Sequence, residues 1–208
     1  MSEELSFIHR FEPAPQPDAS ARPLLLLHGT GGNEDDLISL GRMLAPHAAL
    51  LSPRGQVLEN GMPRFFRRLA EGVFDEQDVR RRAHELADFV MQARMAYGIA
   101  APIAVGYSNG ANIAAAVLLL RPEVLARAVL LRAMAPFAET GASQLGGKPV
   151  LILSGARDPL VPADNAARLA FLLQQAGAGV EHRIVQAGHD LSQADIALAR
   201  SWLEAREG

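Results

Sequence analysis

Apolar residues along the chain gather into short runs, and stretches of helical spacing separate them. Pro23-Leu24-Leu25-Leu26-Leu27, Ala48 to Ser52, Ile103 to Gly106, Ala126 to Leu131 and Pro149 to Leu153 predict strands, and Val180 to Val185 completes the set. Continuous apolar runs of this length suit strands covered on both faces, as in a parallel sheet between helices. Glu76 to Tyr97 carries Val79, Ala83, Leu86, Phe89 or Val90, and Ala93 at helical spacing, with Gly98 as its C-terminal cap. Asn109 to Leu120 is apolar almost all round and predicts a central helix, stopped by Arg121-Pro122. Ala163 to Gln175 and Leu191 to Glu204 predict two more. Asn33, followed by Glu34, Asp35 and Asp36, is expected to cap a helix whose inner face is Leu37, Leu40, Gly41 and Leu44. Leu5 to Phe11 alternates loosely, as an edge strand would. Glu12 to Arg22 and Arg132 to Gly147 read as loops, and Pro53 to Asp75 is the longest stretch without clear periodicity. The alternation of strand and helix, without linker or repeat, predicts one α/β domain over residues 1–208. Its central sheet should be mostly parallel and flanked by helices, with ligands beyond the C-terminal strand ends.

Three of those strand ends carry reactive side chains. Val105-Gly106-Tyr107-Ser108-Asn109-Gly110 places a hydroxyl between two glycines, where a buried strand meets a buried helix. This fits G-x-S-x-G in the strand–turn–helix setting that gives the pattern meaning. A glycine-flanked turn with a surface serine is the plainer alternative. A serine needs a base to act as a nucleophile. Gly188-His189-Asp190-Leu191 follows the last strand, and Ser154-Gly155-Ala156-Arg157-Asp158-Pro159 follows an earlier one. The order Ser, Asp, His is that of the α/β-hydrolases. Asp-Pro is also a common turn opening. Asp190 ranks second as partner of the imidazole, because adjacent turn residues seldom point at each other.

Composition narrows the classes. The 208 residues contain no cysteine, which excludes disulfides, thiolate zinc sites and a cysteine nucleophile. The net charge of −3 and the absence of a basic stripe set nucleic acid aside. No secretory leader or membrane-length apolar run is present, so a soluble, cytoplasmic protein with no membrane partner is expected. No His-x-x-x-His or acidic cluster points to a metal, and no cofactor is expected. His28-Gly29-Thr30-Gly31-Gly32 lacks the Lys-Ser/Thr of a phosphate-binding loop and the spacing of G-x-G-x-x-G.

The segments LLLHGTGGNEDD, PRGQVLENGMPRFFRR, VGYSNGAN, SGARDPLVP and AGHDLSQAD together resemble the phospholipase/carboxylesterase family of small α/β-hydrolases. Among these, the chain is most similar to bacterial serine esterases of the hydroquinone-resistance type. The resemblance covers nearly the whole chain. It implies Ser108 as nucleophile, His189 as base and Asp158 as its orienting carboxylate. The backbone N–H groups of Thr30 and Asn109 would form an oxyanion hole, and His28 would support that loop from below. The usual family residue after the nucleophile is Gln, so Asn109 bears on substrate class. A homodimer would be common for the family.

The short connection after Ala126 to Leu131 leaves no room for a lid domain there, so a small or short-acyl carboxylic ester is the expected substrate. A thioesterase or peptidase of the same fold, or a binding domain without chemistry, remain the alternatives. Met134, Phe137, Leu160 and Leu191 fall in loops at the strand ends and are candidate pocket walls, as well as candidate core. The resemblance also puts Arg54, Phe65 and Phe66 beside the site. Arg64 to Arg68 admits two readings of equal weight: a pocket wall attracting an anionic or aromatic substrate, or a solvated turn balanced by Glu71, Asp75 and Glu76.

Overall fold

In the computed structural model, which describes residues 5–16, 21–139 and 144–206, helix and strand alternate along the chain. In order they are β1 (His9–Glu12), β2 (Leu24–Leu27), α1 (Ile38–Leu44), β3 (Leu50–Pro53), β4 (Val57–Glu59), β5 (Met62–Arg64), β6 (Arg68–Ala70), β7 (Val73–Phe74), α2 (Glu76–Tyr97), β8 (Ile103–Tyr107), α3 (Asn109–Leu120), β9 (Arg127–Leu131), β10 (Pro149–Gly155), α4 (Ala163–Gln175), β11 (Gly179–Val185) and α5 (Gln193–Glu204). Seven strands form one sheet in the order β1-β3-β2-β8-β9-β10-β11. Every pairing is parallel except that of β1 with β3 at the edge.

The apolar runs are unbroken because each strand is covered twice. Leu25, Leu27, Ala104, Ala128, Leu130, Val150 and Ile152 join a core with residues of α2, α3 and α4. The residues between them, Leu24, Leu26, Ile103, Val105, Val129, Leu131, Leu151 and Leu153, join a second core with α1 and α5. Successive strand side chains point to opposite faces, so both sets must be apolar. Helix α3 is buried from Asn109 to Leu119, which explains its lack of a polar face. Helix α2 is capped by Asp75, whose carboxylate accepts from Asp78 N–H, and ends at Gly98 in the left-handed conformation (φ 64°).

Two helix starts depart from the sequence pattern. Asn33 does not cap a helix. Its Oδ1 accepts from Asp35 N–H at 2.8 Å, and residues 34–37 form turns before α1 begins at Ile38. The acids there are taken by ion pairs, Asp35 by Arg10 and Glu34 by Arg54. Helix α5 likewise starts at Gln193, because Ser192 donates from both N–H and Oγ to Asp195 Oδ2 and sets its first turn.

The aperiodic stretch from Pro53 to Asp75 forms two small hairpins, β4–β5 and β6–β7. Strands of two or three residues are too short to show a period. Asn60 and Gly61 make the first turn with φ of 53° and 79°, the two-residue geometry that Asn-Gly favours. The connection from β9 to β10 carries no helix or strand among its described residues.

Candidate active site

Ser108 joins β8 to α3 at φ 51°, ψ −114°, a strained conformation for a residue with a side chain. Close packing forces the flanking glycines. A Cβ on Gly110 would lie 2.0 Å from the Leu27 carbonyl oxygen, and one on Gly106 would lie 2.6 Å from Ala111 Cα. The strand and helix therefore meet at a sharp bend, and the serine side chain stands beyond the sheet.

The structure brings three distant side chains together there. His189 Nε2 lies 3.1 Å from Ser108 Oγ. His189 Nδ1 lies 2.9 Å and 3.1 Å from the two Asp158 oxygens. The Asp158 carboxylate is fully covered, and Oδ1 also accepts from the N–H groups of Leu160 and Val161 at 2.8 and 3.1 Å. Tyr107 Oη donates to the His189 carbonyl at 3.3 Å. Asp190, the second-ranked orienter, contributes only its carbonyl, to Arg132.

Arg132 is a participant that the sequence pattern did not reveal. It follows β9, where an unbroken loop is the expectation, and its side chain has no exposed surface. Its five N–H donors meet five acceptors. Nε donates to Gly188 O (2.8 Å), Nη1 to Asp195 Oδ1 (2.7 Å) and Leu153 O (3.3 Å), and Nη2 to Asp195 Oδ2 (2.8 Å) and Asp190 O (3.1 Å). The carbonyls on either side of His189 are thus tied to β9 and to α5. Burial raises the Asp195 carboxyl, but Arg132 and the Ser192 donors outweigh it and hold the group below its ordinary value. A lone arginine inside the apolar stretch Leu130 to Phe137 is the signal that marks it.

His28 lies beneath the glycine loop after β2. Gly55 N–H donates to its Nε2 at 2.9 Å, and its Nδ1 is 2.6 Å from Gly29 O. Those partners require a neutral ring with the proton on Nδ1. Burial lowers its basicity in agreement. Asn109 Oδ1 accepts from Phe65 N–H at 2.7 Å, and Asn112 Oδ1 from Met134 N–H at 2.8 Å. The start of α3 therefore anchors two loops. Neither Thr30 nor Asn109 spends its N–H on a backbone bond in a turn or loop among the described residues.

A cavity of about 350 Å³ opens over Ser108 and His189. Thr30, Asn109, Met134 and Leu160 line it, together with Arg64, Arg68, Glu71, Phe74, Asn112 and Val161. The other five expected wall residues lie elsewhere, Phe137 in the buried core. Phe65 and Phe66 turn into the core, Phe65 against the His28 ring (4.7 Å between centroids) and Phe66 edge-on to Phe74 (5.0 Å). Arg54 is held by Glu34 through two bonds of 2.5 and 2.6 Å. Leu191 packs against the core beneath α5. Phe74, on the β6–β7 hairpin, is the aromatic wall in their place. Among the described residues no group of three or more His, Asp or Glu side chains is placed to hold a metal ion. No helix among the described residues is long and apolar enough to cross a membrane.

A mostly parallel sheet between helices, with a strained serine after its central strand β8, defines an α/β-hydrolase. Residues 13–206 match the Phospholipase/Carboxylesterase family model. The chain belongs to that family of hydrolases. It is 48% identical over 181 residues to the MhqD protein of Bacillus subtilis (strain 168), whose name goes no further than hydrolase; the match covers 86% of this chain and 90% of that one. The crystal structure of a Bacillus cereus carboxylesterase superposes with a TM-score of 0.92 at 42% identity, covering 96% of this chain and 94% of the other. A carboxylesterase from Mesorhizobium loti gives 0.91 at 33% identity, with 97% and 96% covered.

Proposed function

We propose that the protein is a serine carboxylesterase acting on small or short-acyl esters. One observation carries this reading: the unbroken hydrogen-bond chain from Ser108 Oγ through the His189 ring to the covered carboxylate of Asp158. His189 Nε2 takes the serine proton as Oγ attacks the ester carbonyl. Asp158, fixed by two backbone donors, keeps the ring proton on Nδ1 and stabilises the imidazolium that forms. The N–H groups of Thr30 and Asn109 receive the tetrahedral oxyanion, each contributing about 3 kcal/mol. His189 then protonates the departing alcohol. Water, deprotonated by the same ring, releases the acid from the acyl-serine.

The walls support the size of the substrate. Phe74, Met134, Leu160 and Val161 offer apolar contact on one side, within a volume suited to a small molecule. Hydrolysis of p-nitrophenyl acetate and butyrate by wild type and Ser108→Ala, with fluorophosphonate labelling, tests the assignment. Turnover and label should vanish together in the variant. Equal turnover by both proteins, with no label on Ser108, would refute it. A matched S-acyl thioester identifies the preferred leaving group.

A further inference from the structure

The basic segment Arg64 to Arg68 divides by direction. Arg67 points outward, is 67% exposed and pairs with Asp75. Arg64 and Arg68 turn inward and line the cavity that holds Ser108 and His189. Arg64 is 3% exposed and rigidly held. Its Nε donates to Phe66 O at 3.2 Å, and its Nη1 donates to Thr30 Oγ1 at 2.9 Å and meets Glu59 Oε2 at 3.2 Å. Its Nη2 takes part in none of these contacts. Arg68 reaches the other Glu59 oxygen through Nε (2.9 Å) and Nη2 (2.8 Å). One carboxylate, itself outside the cavity lining, is therefore shared by two guanidinium groups. Glu71 is the only acid among the described lining residues, and Asp195 already neutralises Arg132. A neutral ester gives no reason to leave half-compensated arginines in the cavity wall. A planar guanidinium with free N–H groups matches a carboxylate well.

On the carboxylesterase reading given above, we propose that Arg64 and Arg68 form a carboxylate-recognition subsite, and that the substrates are monoanionic esters such as half-esters of short dicarboxylic acids. The bond from Arg64 to Thr30 puts this subsite on the Thr30 side of the ester carbonyl. The apolar walls at Phe74, Met134 and Val161 then receive the uncharged part of the substrate. Arg64 also fixes Thr30 and Phe66, so its removal would mix two effects. Arg68 has no such second duty in the loop, and it is the position to test.

The test measures kcat/KM by pH-stat at low salt for monoethyl succinate, glutarate and adipate, beside ethyl esters of matched length without the carboxylate. For the best-fitting length, wild type should favour the half-ester about tenfold or more. Arg68→Gln should collapse that ratio, and Arg67→Gln should keep it. High salt should shrink the ratio, because the cavity is open to ions. A wild-type ratio of one or less, or a ratio that survives in Arg68→Gln, overturns the proposal. Titration calorimetry of Ser108→Ala with monoethyl glutarate reads binding without turnover. Heat lost in Ser108→Ala/Arg68→Gln supports the subsite, and no heat in Ser108→Ala overturns it. If the wild type hydrolyses no ester while the binding holds, the esterase reading falls and the subsite stands.

Discussion

Arg132→Met keeps an unbranched stem that ends near the position of Nε, and, being unbranched at Cβ like arginine, it leaves the backbone strain at φ 55° unchanged. It removes the partner of a carboxylate that is 1% exposed. Asp195 would then be left with the Ser192 donors alone. Breaking one side of a buried ion pair costs about 3–5 kcal/mol, a third or more of the stability of many domains, which is about 5–15 kcal/mol. Arg132→Met/Asp195→Leu removes both charges. It should recover most of the loss and sit about 1–2 kcal/mol below wild type, because the α5 cap and the partner of the Gly188 and Asp190 carbonyls are gone. Urea unfolding between pH 4 and pH 8 checks both values. In wild type the Asp195 carboxyl is depressed, so its stabilisation is present above the unfolded value near 4 and fades as pH falls through the lower folded value. In Arg132→Met, burial, the largest influence, is opposed by the Ser192 donors alone, and the folded value should rise. The deficit of that variant should therefore grow as pH rises from about 4 toward neutrality. A single-variant loss under about 1 kcal/mol, or a deficit flat across this range, would refute the reasoning. Because Arg132 grips the carbonyls on both sides of His189, the folded double variant should also lose kcat about a hundredfold from a misplaced ring.

Asp158→Asn should keep its thermal midpoint within a few degrees and lower kcat about 10⁴-fold, since the amide no longer fixes the imidazole tautomer; steady-state assays decide. Gly110→Ala should cost at least about 3 kcal/mol or abolish soluble expression, because its Cβ meets the Leu27 backbone at 2.0 Å. Gly61→Ala is the contrast: open space surrounds it, and only its φ of 79° opposes a side chain, so denaturant unfolding should show a loss of about 1 kcal/mol. Burial holds the His28 imidazole below its ordinary value. The unfolded chain takes up that proton first, so stability should fall as pH drops below about 6.5. His28→Gln should shrink that fall in parallel melts, and His182, shifted the same way by burial, accounts for part of the remainder.

Legibility in the sequence tracked the number of residues that report on one decision. Glu76–Tyr97, Asn109–Leu120 and Ala163–Gln175 are long and periodic, and the helices occupy those ranges. The first helix misled because a local Asx turn at Asn33 imitates a cap. The Asn60-Gly61 pair was the hairpin signal inside the aperiodic stretch, but its strands are three residues long and carry no pattern. Phe65 and Phe66 show the limit most plainly. Two neighbouring aromatics in a loop read equally well as wall or core, and only the packing against His28 and Phe74 assigns them inward.

By itself, the order of residues determined the α/β class, the sheet's covered strands and the serine bend, because each depends on spacing within a few neighbours or on glycine where no side chain fits. The tertiary structure alone decided which charges face the cavity. Arg64 and Arg68 point in and Arg67 points out, and Arg132 disappears into a cage of carbonyls and one carboxylate. Those outcomes depend on partners up to 63 positions away. A charged side chain takes whichever direction lets distant acceptors satisfy its donors, and no local pattern records where those acceptors come to rest.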